Sequence, residues 1–390
     1  MNEQAPGLIW VVARVHKPDE GGVQTYVAEV AQAYARMGLR VTVFAKSSAG
    51  PRRVEDGAVT LVDVGAASQL QVYLRLGRAM ARAWRAGERP QVIHACTWRA
   101  GLPALLFPRP LLVTVHGREI GRPSGTAYRL MRAVLSRAAR IVAVSEATRG
   151  LMLARMPSVA RRCITAWNGS SEVPEQPAGI DSDVARVITV CRLVPRKNVP
   201  AAVKASLQCF AEGIPLHHAV IGRGPDEHAV RRLVEEYDAG HEGAPGKAPV
   251  ELTGYVSDEE LAARYRTADI FLHPQVALEG GAEIEGFGLV IADAMARGIP
   301  CIVGRDGGPG ELVRHGIDGM VVDGNSPDAI AQALARLASD ADLRRRMGAS
   351  ARAFAAENFS WDRHCRLATD GLLAPHEAVP EGRPAASAAG

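Results

Sequence analysis

Short runs of apolar, often β-branched residues alternate along the whole chain with longer stretches that are apolar on one helical face only. The short runs predict strands at 8–12, 41–44, 92–95, 111–115 and 141–144, and again at 187–190, 218–221, 251–253, 270–273, 300–303 and 319–322. Strands buried on both faces and separated by amphipathic helices make parallel sheets covered on each side. The fold class is therefore α/β, with two doubly wound, Rossmann-like sheets. A Pro- and Gly-containing stretch at 170–183 reads as the linker between them, and 238–249 as a surface loop. The expected domains are 1–172 and 173–360, with a disordered Ala-, Gly- and Pro-rich tail at 377–390. Such sheets bind ligands on the edge formed by the carboxyl ends of their strands, so two of them should face each other across a cleft.

One amphipathic stretch, 70–89, has a polar face of a single charge. At 100° per residue, Arg75, Arg78, Arg82, Arg85 and Arg89 fall within an arc of about 80°. Leu70, Tyr73, Leu76, Met80 and Trp84 lie opposite. A second stretch, 128–140, spreads Arg129, Arg132, Arg137 and Arg140 over a wider arc. A charge run of this kind is ordinarily a solvated helix face, and its alternative is a surface that rests on anionic lipid.

Composition sharpens that picture. The 390 residues carry a net charge of +4, but residues 1–170 hold 24 Lys and Arg against 10 Asp and Glu, and the remainder 22 against 32. The first half is a cation and the second an anion, which points to an anionic partner for the first: a membrane surface or an acidic substrate. No apolar run is long enough to cross a bilayer, and residues 1–13 lack the basic start and long apolar core of a secretory signal. The six cysteines contain no C-x-x-C pair, so neither a zinc site nor a disulfide framework is expected. A reduced, cytoplasmic setting follows, at the inner face of the plasma membrane if the basic half docks there. No metal or cofactor and no nucleic-acid partner is expected.

The chemistry concentrates in the segment EGFGLVIADAMARGIP that opens at Glu285. Gly286 and Gly288 bracket Phe287 in a turn that lets the backbone approach a ligand closely. A helix beginning near Leu289 then aims free N–H groups and its positive dipole end at whatever lies over the turn, which favours a phosphate. Glu285 and Asp293 flank that position and can accept from hydroxyls. Their bland alternative is an N-terminal cap and a solvated helix residue. Upstream, Arg192 and Lys197 follow a strand and precede a helix, a fork and a point charge suited to a diphosphate. In the first half, Gly21 and Gly22 form a strand-to-helix loop, and His116 lies just past a strand end, on the ligand-binding edge. Glu311 opens a helix after a further glycine turn. The Gly-x-Gly at 222–224 has Glu227 in place of a third glycine and carries little weight.

In this order the pieces resemble the retaining glycosyltransferases of family 4, over roughly residues 8–372. The likeness includes the Gly21–Gly22 loop, HGRE at His116, SEATRG at Ser145, WNG ending at Gly169, CRLVPRKN, IGRGPDE, LTGYVSDEELAARYRTADIFLHP, the acid-x7-acid segment and ENFSWDRHC. The resemblance implies the GT-B fold of two facing Rossmann-like domains, with a last helix at about 361–376 that crosses back to the first domain. It implies a nucleotide-diphosphate sugar, GDP-mannose or a UDP-sugar, as donor. Arg192 and Lys197 would neutralise its diphosphate, and Glu285 would contact the transferred sugar. The backbone of Gly286, Phe287, Gly288 and Leu289 would hold phosphate and sugar oxygens, Asp293 the ribose hydroxyls, with Glu311 beside the donor. His116 would stand near the reacting sugar, and no protein nucleophile or metal is implied.

One position departs from the family pattern: Asp293 stands where Glu is usual. The expected activity is hexose transfer to a lipid-linked glycan or glycolipid acceptor in surface polysaccharide synthesis, with a small soluble acceptor as the alternative. Two other classes compete. A nicotinamide-dependent oxidoreductase would need a Gly-x-Gly-x-x-Gly after the first strand, and none is there. A catalytically silent nucleotide- or membrane-binding relative has only Asp293 in its favour.

Overall fold

A computed structural model describes residues 6–19, 21–171, 184–240 and 248–373. The strands are β1 (Leu8–Val12), β2 (Arg40–Ala45), β3 (Arg52–Asp56), β4 (Val59–Asp63), β5 (Val92–Ala95), β6 (Leu111–Val115), β7 (Arg140–Ala143) and β8 (Cys163–Thr165) in the first half. The second half has β9 (Ala185–Val190), β10 (Leu216–Ile221), β11 (Val250–Gly254), β12 (Ile270–His273), β13 (Cys301–Gly304) and β14 (Gly319–Val322). The second sheet runs β11-β10-β9-β12-β13-β14, all parallel, with the order reversing between β9 and β12. The first runs β3-β4-β2-β1-β5-β6-β7-β8, reversing between β1 and β5. Among the paired strands of the described residues, β3–β4 alone is antiparallel. Each reversal point opens a crevice at the strand carboxyl ends.

Every expected strand forms, within one or two residues at the ends. Three more, β3, β4 and β8, were not foreseen. The residues of β3 are all exposed and polar or charged but for Val54, and β8 has three residues, so neither carries a strand-like apolar run. Both lie at sheet edges.

The strands' alternation decides which core each residue enters. On β1, Leu8, Trp10 and Val12 pack on one face of the sheet, and Ile9 and Val11 on the other. The second sheet does the same, with Ile188 and Val190 on one side and Val187 on the other. The last helix, Trp361–Thr369, contributes Trp361, Cys365 and Ala368 to the first domain's core, against the helix Gly22–Arg36. It follows the second sheet in the chain and packs on the first domain; residues 172–183 of the expected linker, 241–247 of the expected surface loop and the tail 374–390 lie outside the described residues.

The return helix is keyed by a buried hydrogen-bonded chain. His364 Nδ1 lies 3.2 Å and 3.1 Å from the carbonyl oxygens of Ala166 and Trp167, so it carries the proton and Nε2 is an acceptor. Tyr26 then donates to His364 Nε2 at 2.8 Å and accepts from Thr114, also at 2.8 Å. Thr114 accepts from His94 Nε2 at 2.8 Å, and Tyr34 donates to His94 Nδ1 at 3.0 Å. Each proton has one direction, and both imidazoles are neutral. Burial, chiefly, holds His94 well below its usual range and His364 at about 4.

Two expectations about the basic helices need correction. The first spans Gln69–Arg85, burying Val72, Leu76 and Met80. Leu70, in the first turn, projects past the packed face and is 69% exposed. Arg89 lies beyond the helix and stacks on Trp84 at 4.2 Å. The second spans Gly125–Arg137, so Arg140 opens β7 instead and donates to Leu367 of the return helix at 2.9 Å. Arg75, Arg78, Arg82, Arg85, Arg129, Arg132 and Arg137 are exposed.

Candidate functional site

The loops after β9 and β12 build the centre of the site. After β9 a short turn, Pro195–Lys197, ends at Asn198 in the left-handed conformation, which Asn adopts more readily than most non-glycine residues. Asn198 donates to the carbonyls of Pro274 and Gly324 at 3.1 and 2.7 Å, fixing the turn against the loops after β12 and β14. This buries Lys197 with its Nζ 2.8 Å from Glu285 Oε2. Arg196 reaches the same oxygen at 3.2 Å. Lys197 also donates to His273 Nε2 at 3.3 Å, so that imidazole is neutral; burial first and Lys197 second hold it at about 3. Burial alone would raise the Glu285 carboxyl, but Lys197 and Arg196 overcome it and hold it at about 2.

The turn that follows is pressed against the first domain. A Cβ on Gly286 would lie 1.8 Å from the His116 carbonyl oxygen, so no larger residue fits there. Gly288 adopts φ 94° and starts the helix Leu289–Ala296, and Phe287 is buried in the second domain's core. Gly21 precedes the helix Gly22–Arg36, and a Cβ on Gly22 would touch Leu289 Cδ1 at 3.7 Å. The glycine loop of one domain thus faces the helix start of the other. His116, at the end of β6, donates from Nε2 to Cys96 O at 2.8 Å. Its ring meets Tyr26 edge-on, with centroids 4.8 Å apart.

The structure therefore gathers Gly22, His116, Glu285, Gly286, Leu289 and Lys197 around one interdomain seam. Arg192 does not touch Glu285; it is exposed and lines a cavity beside Arg196. Asp293 accepts from the backbone N–H of Ser171, at the start of the linker, at 2.6 Å, and burial raises its carboxyl. Both oxygens of Glu311 are taken by the first domain: Glu146 and Ala147 donate their N–H groups at 2.8 and 2.5 Å. In this closed arrangement Glu311 is a joint capping the Glu146–Arg155 helix.

Arg196 and His273 were not foreseen. Arg196 was masked by its neighbours, since the sequence offers three cations in six residues and only the turn geometry selects among them. His273 carried the same signal as His116, a histidine at a strand's carboxyl end.

Gly286→Ala provides a direct check on the seam. With the added methyl against a backbone carbonyl, the domains cannot seat, and turnover is expected to fall about a hundredfold, the cost of misplacing reacting groups by about an ångström. The melting temperature should barely move, because each core stays intact. Wild-type kcat/KM in this variant would show that the seam is not part of the working state.

Two Rossmann-like domains facing each other, with a glycine loop opposite a helix N-terminus, define a GT-B transferase scaffold. The fold recurs in sucrose-phosphate synthase from Thermosynechococcus elongatus, which superimposes with a TM-score of 0.73 at 20% identity, covering 93% of this chain and 97% of that one. The model described as Glycosyltransferase Family 4 matches residues 20–169, and that described as Glycosyl transferases group 1 matches residues 171–354. The chain belongs to glycosyltransferase family 4 and is a glycosyltransferase. It is similar to a GDP-mannose-dependent alpha-(1-6)-phosphatidylinositol monomannoside mannosyltransferase of Mycobacterium tuberculosis, 28% identical across 91% of this chain and 95% of the relative. It is also similar to D-inositol 3-phosphate glycosyltransferase 1 of Catenulispora acidiphila, 26% identical across 93% and 92%.

Proposed function

We propose that this protein transfers a hexose, with retention of anomeric configuration and without a metal, from a nucleotide-diphosphate sugar to a hydroxyl of a glycolipid or lipid-linked glycan. The observation that carries the reading is the buried Glu285–Lys197–Arg196 cluster, set directly before a glycine-capped helix start and against the His116 segment. The bond from the sugar's anomeric carbon to the diphosphate breaks as the acceptor oxygen bonds to that carbon on the same face. The acceptor's proton passes to the departing phosphate oxygen, so no protein nucleophile is needed. Arg192, Lys197 and the helix N-terminus stabilise the charge that develops on the diphosphate. Asp293 holds the ribose hydroxyls, releasing the linker amide as it does so. GDP-mannose is the favoured donor, supported by the mannosyltransferase relative.

The acceptor reading draws on the first domain's surface. Arg75, Arg78, Arg82 and Arg85 share an exposed helix face with Leu70 and Leu74, which are 69% and 50% exposed. Leu106, 77% exposed, lies in the adjoining turn Pro103–Leu106. Arginines for anionic headgroups with leucines to enter the acyl boundary suit peripheral binding at the cytoplasmic leaflet, each cation near the surface worth about 1 kcal/mol. No helix among the described residues is long and apolar enough to cross a membrane.

The test is a thermal-shift panel of GDP, UDP, ADP and their sugars in EDTA, followed by transfer from the best donor to glycolipid in anionic or neutral vesicles. Stabilisation by mass action, a product of retained configuration, and preference for anionic vesicles are expected. A fold that no nucleotide stabilises would refute the donor site. Equal sedimentation with both vesicle types at low salt would remove the membrane surface.

A further inference from the structure

Beside the seam is a cavity of about 280 Å3 with two arginine walls. Arg192 and Arg196 form one, on the second domain; Arg118 and Arg122 form the other, two and six residues beyond His116. Glu279 and Glu283 complete the lining. Glu283 is buried, and Arg122 and Arg118 reach it at 2.6 and 3.3 Å. Arg122 also holds Glu279 through a two-pronged contact, one prong being Nε to Oε2 at 3.2 Å. Arg118 and Arg122 thus meet two carboxylates, Arg196 is compensated by Glu285, and the exposed Arg192 adds a further positive charge to the lining.

The carboxylates arrive on a loop built for the purpose. Leu278 and Glu283 exchange backbone hydrogen bonds at 2.9 and 3.2 Å, closing a tight turn. Within it Glu279, Gly280 and Gly281 all have positive φ, at 52°, 63° and 93°. A glutamate in that conformation is strained, and strain persists where the surroundings enforce it, commonly at functional sites. The loop is seated closely on the first domain, since a Cβ on Gly121 would lie 1.9 Å from the Ala282 carbonyl oxygen. The cavity adjoins the reacting centre on both sides: Arg196 contacts Glu285, and Arg118 follows His116 by two residues.

We propose that this cavity is the acceptor's anion subsite. Arg118 and Arg122 bind a phosphate ester carried by the acceptor close to the hydroxyl that is glycosylated, and the strained Glu279 occupies Arg122 until that phosphate replaces it. Paired guanidinium groups match phosphate oxygens by bidentate hydrogen bonds. A cavity of this size takes a headgroup and leaves acyl chains outside. The assignment rests on the transferase reading above for the donor side, and it extends that reading to the acceptor's chemical class.

The experiment is calorimetric titration of the full chain, saturated with GDP, against myo-inositol, myo-inositol 1-phosphate and dihexanoyl phosphatidylinositol. The phosphate-bearing probes are expected to bind and neutral inositol to bind at least tenfold more weakly. The double variant R118A/R122A should lose tenfold to a hundredfold in affinity for the phosphate-bearing probes, the range for charge-assisted hydrogen bonds, and little for inositol. E279A should bind them severalfold more tightly. Binding of both phosphate probes assigns recognition to the ester itself, and binding of the phospholipid alone assigns it to a lipid headgroup.

The subsite is overturned if no phosphate probe binds, or if the double variant loses charged and neutral probes equally. It is also overturned if E279A weakens binding, since Glu279 would then be a structural latch only. Absence of GDP binding to the wild-type protein is a separate result, and it strikes the donor reading.

Discussion

Glu285→Gln is expected to slow transfer by about a thousandfold and to lower the melting temperature. The substitution keeps the shape of the side chain and removes its charge. Lys197 and Arg196, with side chains 8% and 11% exposed, are then left without the carboxylate that compensates them. Removing one partner of a buried ion pair costs about 3–5 kcal/mol, because the remaining charge is stranded away from water. Loss of one preorganised polar contact to the reacting centre costs about a hundredfold to a thousandfold in rate. A diphosphate brings its own negative charge to the same cations, so GDP should stabilise the variant more than it stabilises the parent. The Glu285 carboxyl, depressed from 4.5 to about 2, adds stability that is complete above pH 4.5 and is lost as the pH falls towards 2. Glu285 is therefore charged throughout the working range, and any acid limb in the rate profile belongs to another group. A variant that melts and turns over like the parent would remove Glu285 from the mechanism.

Stability should also fall steeply between pH 6.5 and about 4, and for a different reason. Burial, in each case the largest cause, holds His218 and His273 at about 3, His364 at about 4 and His94 well below the usual 6.5. In that window the unfolded chain binds protons that the folded chain refuses, so stability rises with pH and is lost as the pH drops through 6.5. Each pKa unit is worth about 1.4 kcal/mol per group, so each of these histidines can remove about 3 kcal/mol between pH 6.5 and 4. Burial pushes the carboxyls of Asp293 and Glu311 up, which works in the opposite direction at the lower end of the window. Denaturant titrations at pH 7.5 and 4.5 should differ by several kcal/mol, with about four protons taken up on unfolding. His364→Asn, which can still donate from its amide to the Ala166 and Trp167 carbonyls, should reduce that uptake by about one proton. A flat profile would mean that these imidazoles ionise in place.

The architecture could be read from the sequence because buried parallel strands advertise themselves: LIWVV, LLVTV and IFLH are continuous apolar runs. Edge strands such as RRVED have no such run, since they pair on one side only and meet water on the other. At the site, Glu285, Gly286, Gly288 and His116 stood out because turns and strand ends restrict residue type locally. What depends on contacts across the domain seam did not show. Nothing local tells that Arg196 rather than Arg192 reaches Glu285, that Glu311 caps a helix of the other domain, or that Ser171 donates to Asp293. The arginine cavity is of the same kind, since Arg118 and Glu283 are 165 positions apart in the chain and adjacent only after both domains have closed.

The return helix imposes an order of assembly on the molecule. Trp361 and Cys365 fill the first domain's interior, and His364 ends the buried hydrogen-bonded chain that runs through Tyr26. During synthesis the first 171 residues emerge with that groove vacant, and it stays vacant until the whole second domain has left the ribosome. Until then the apolar positions that Trp361, Cys365 and Ala368 cover lack their packing partners. A chain that stops before residue 361 would carry a first domain with this groove unfilled, however much of the second domain it contains.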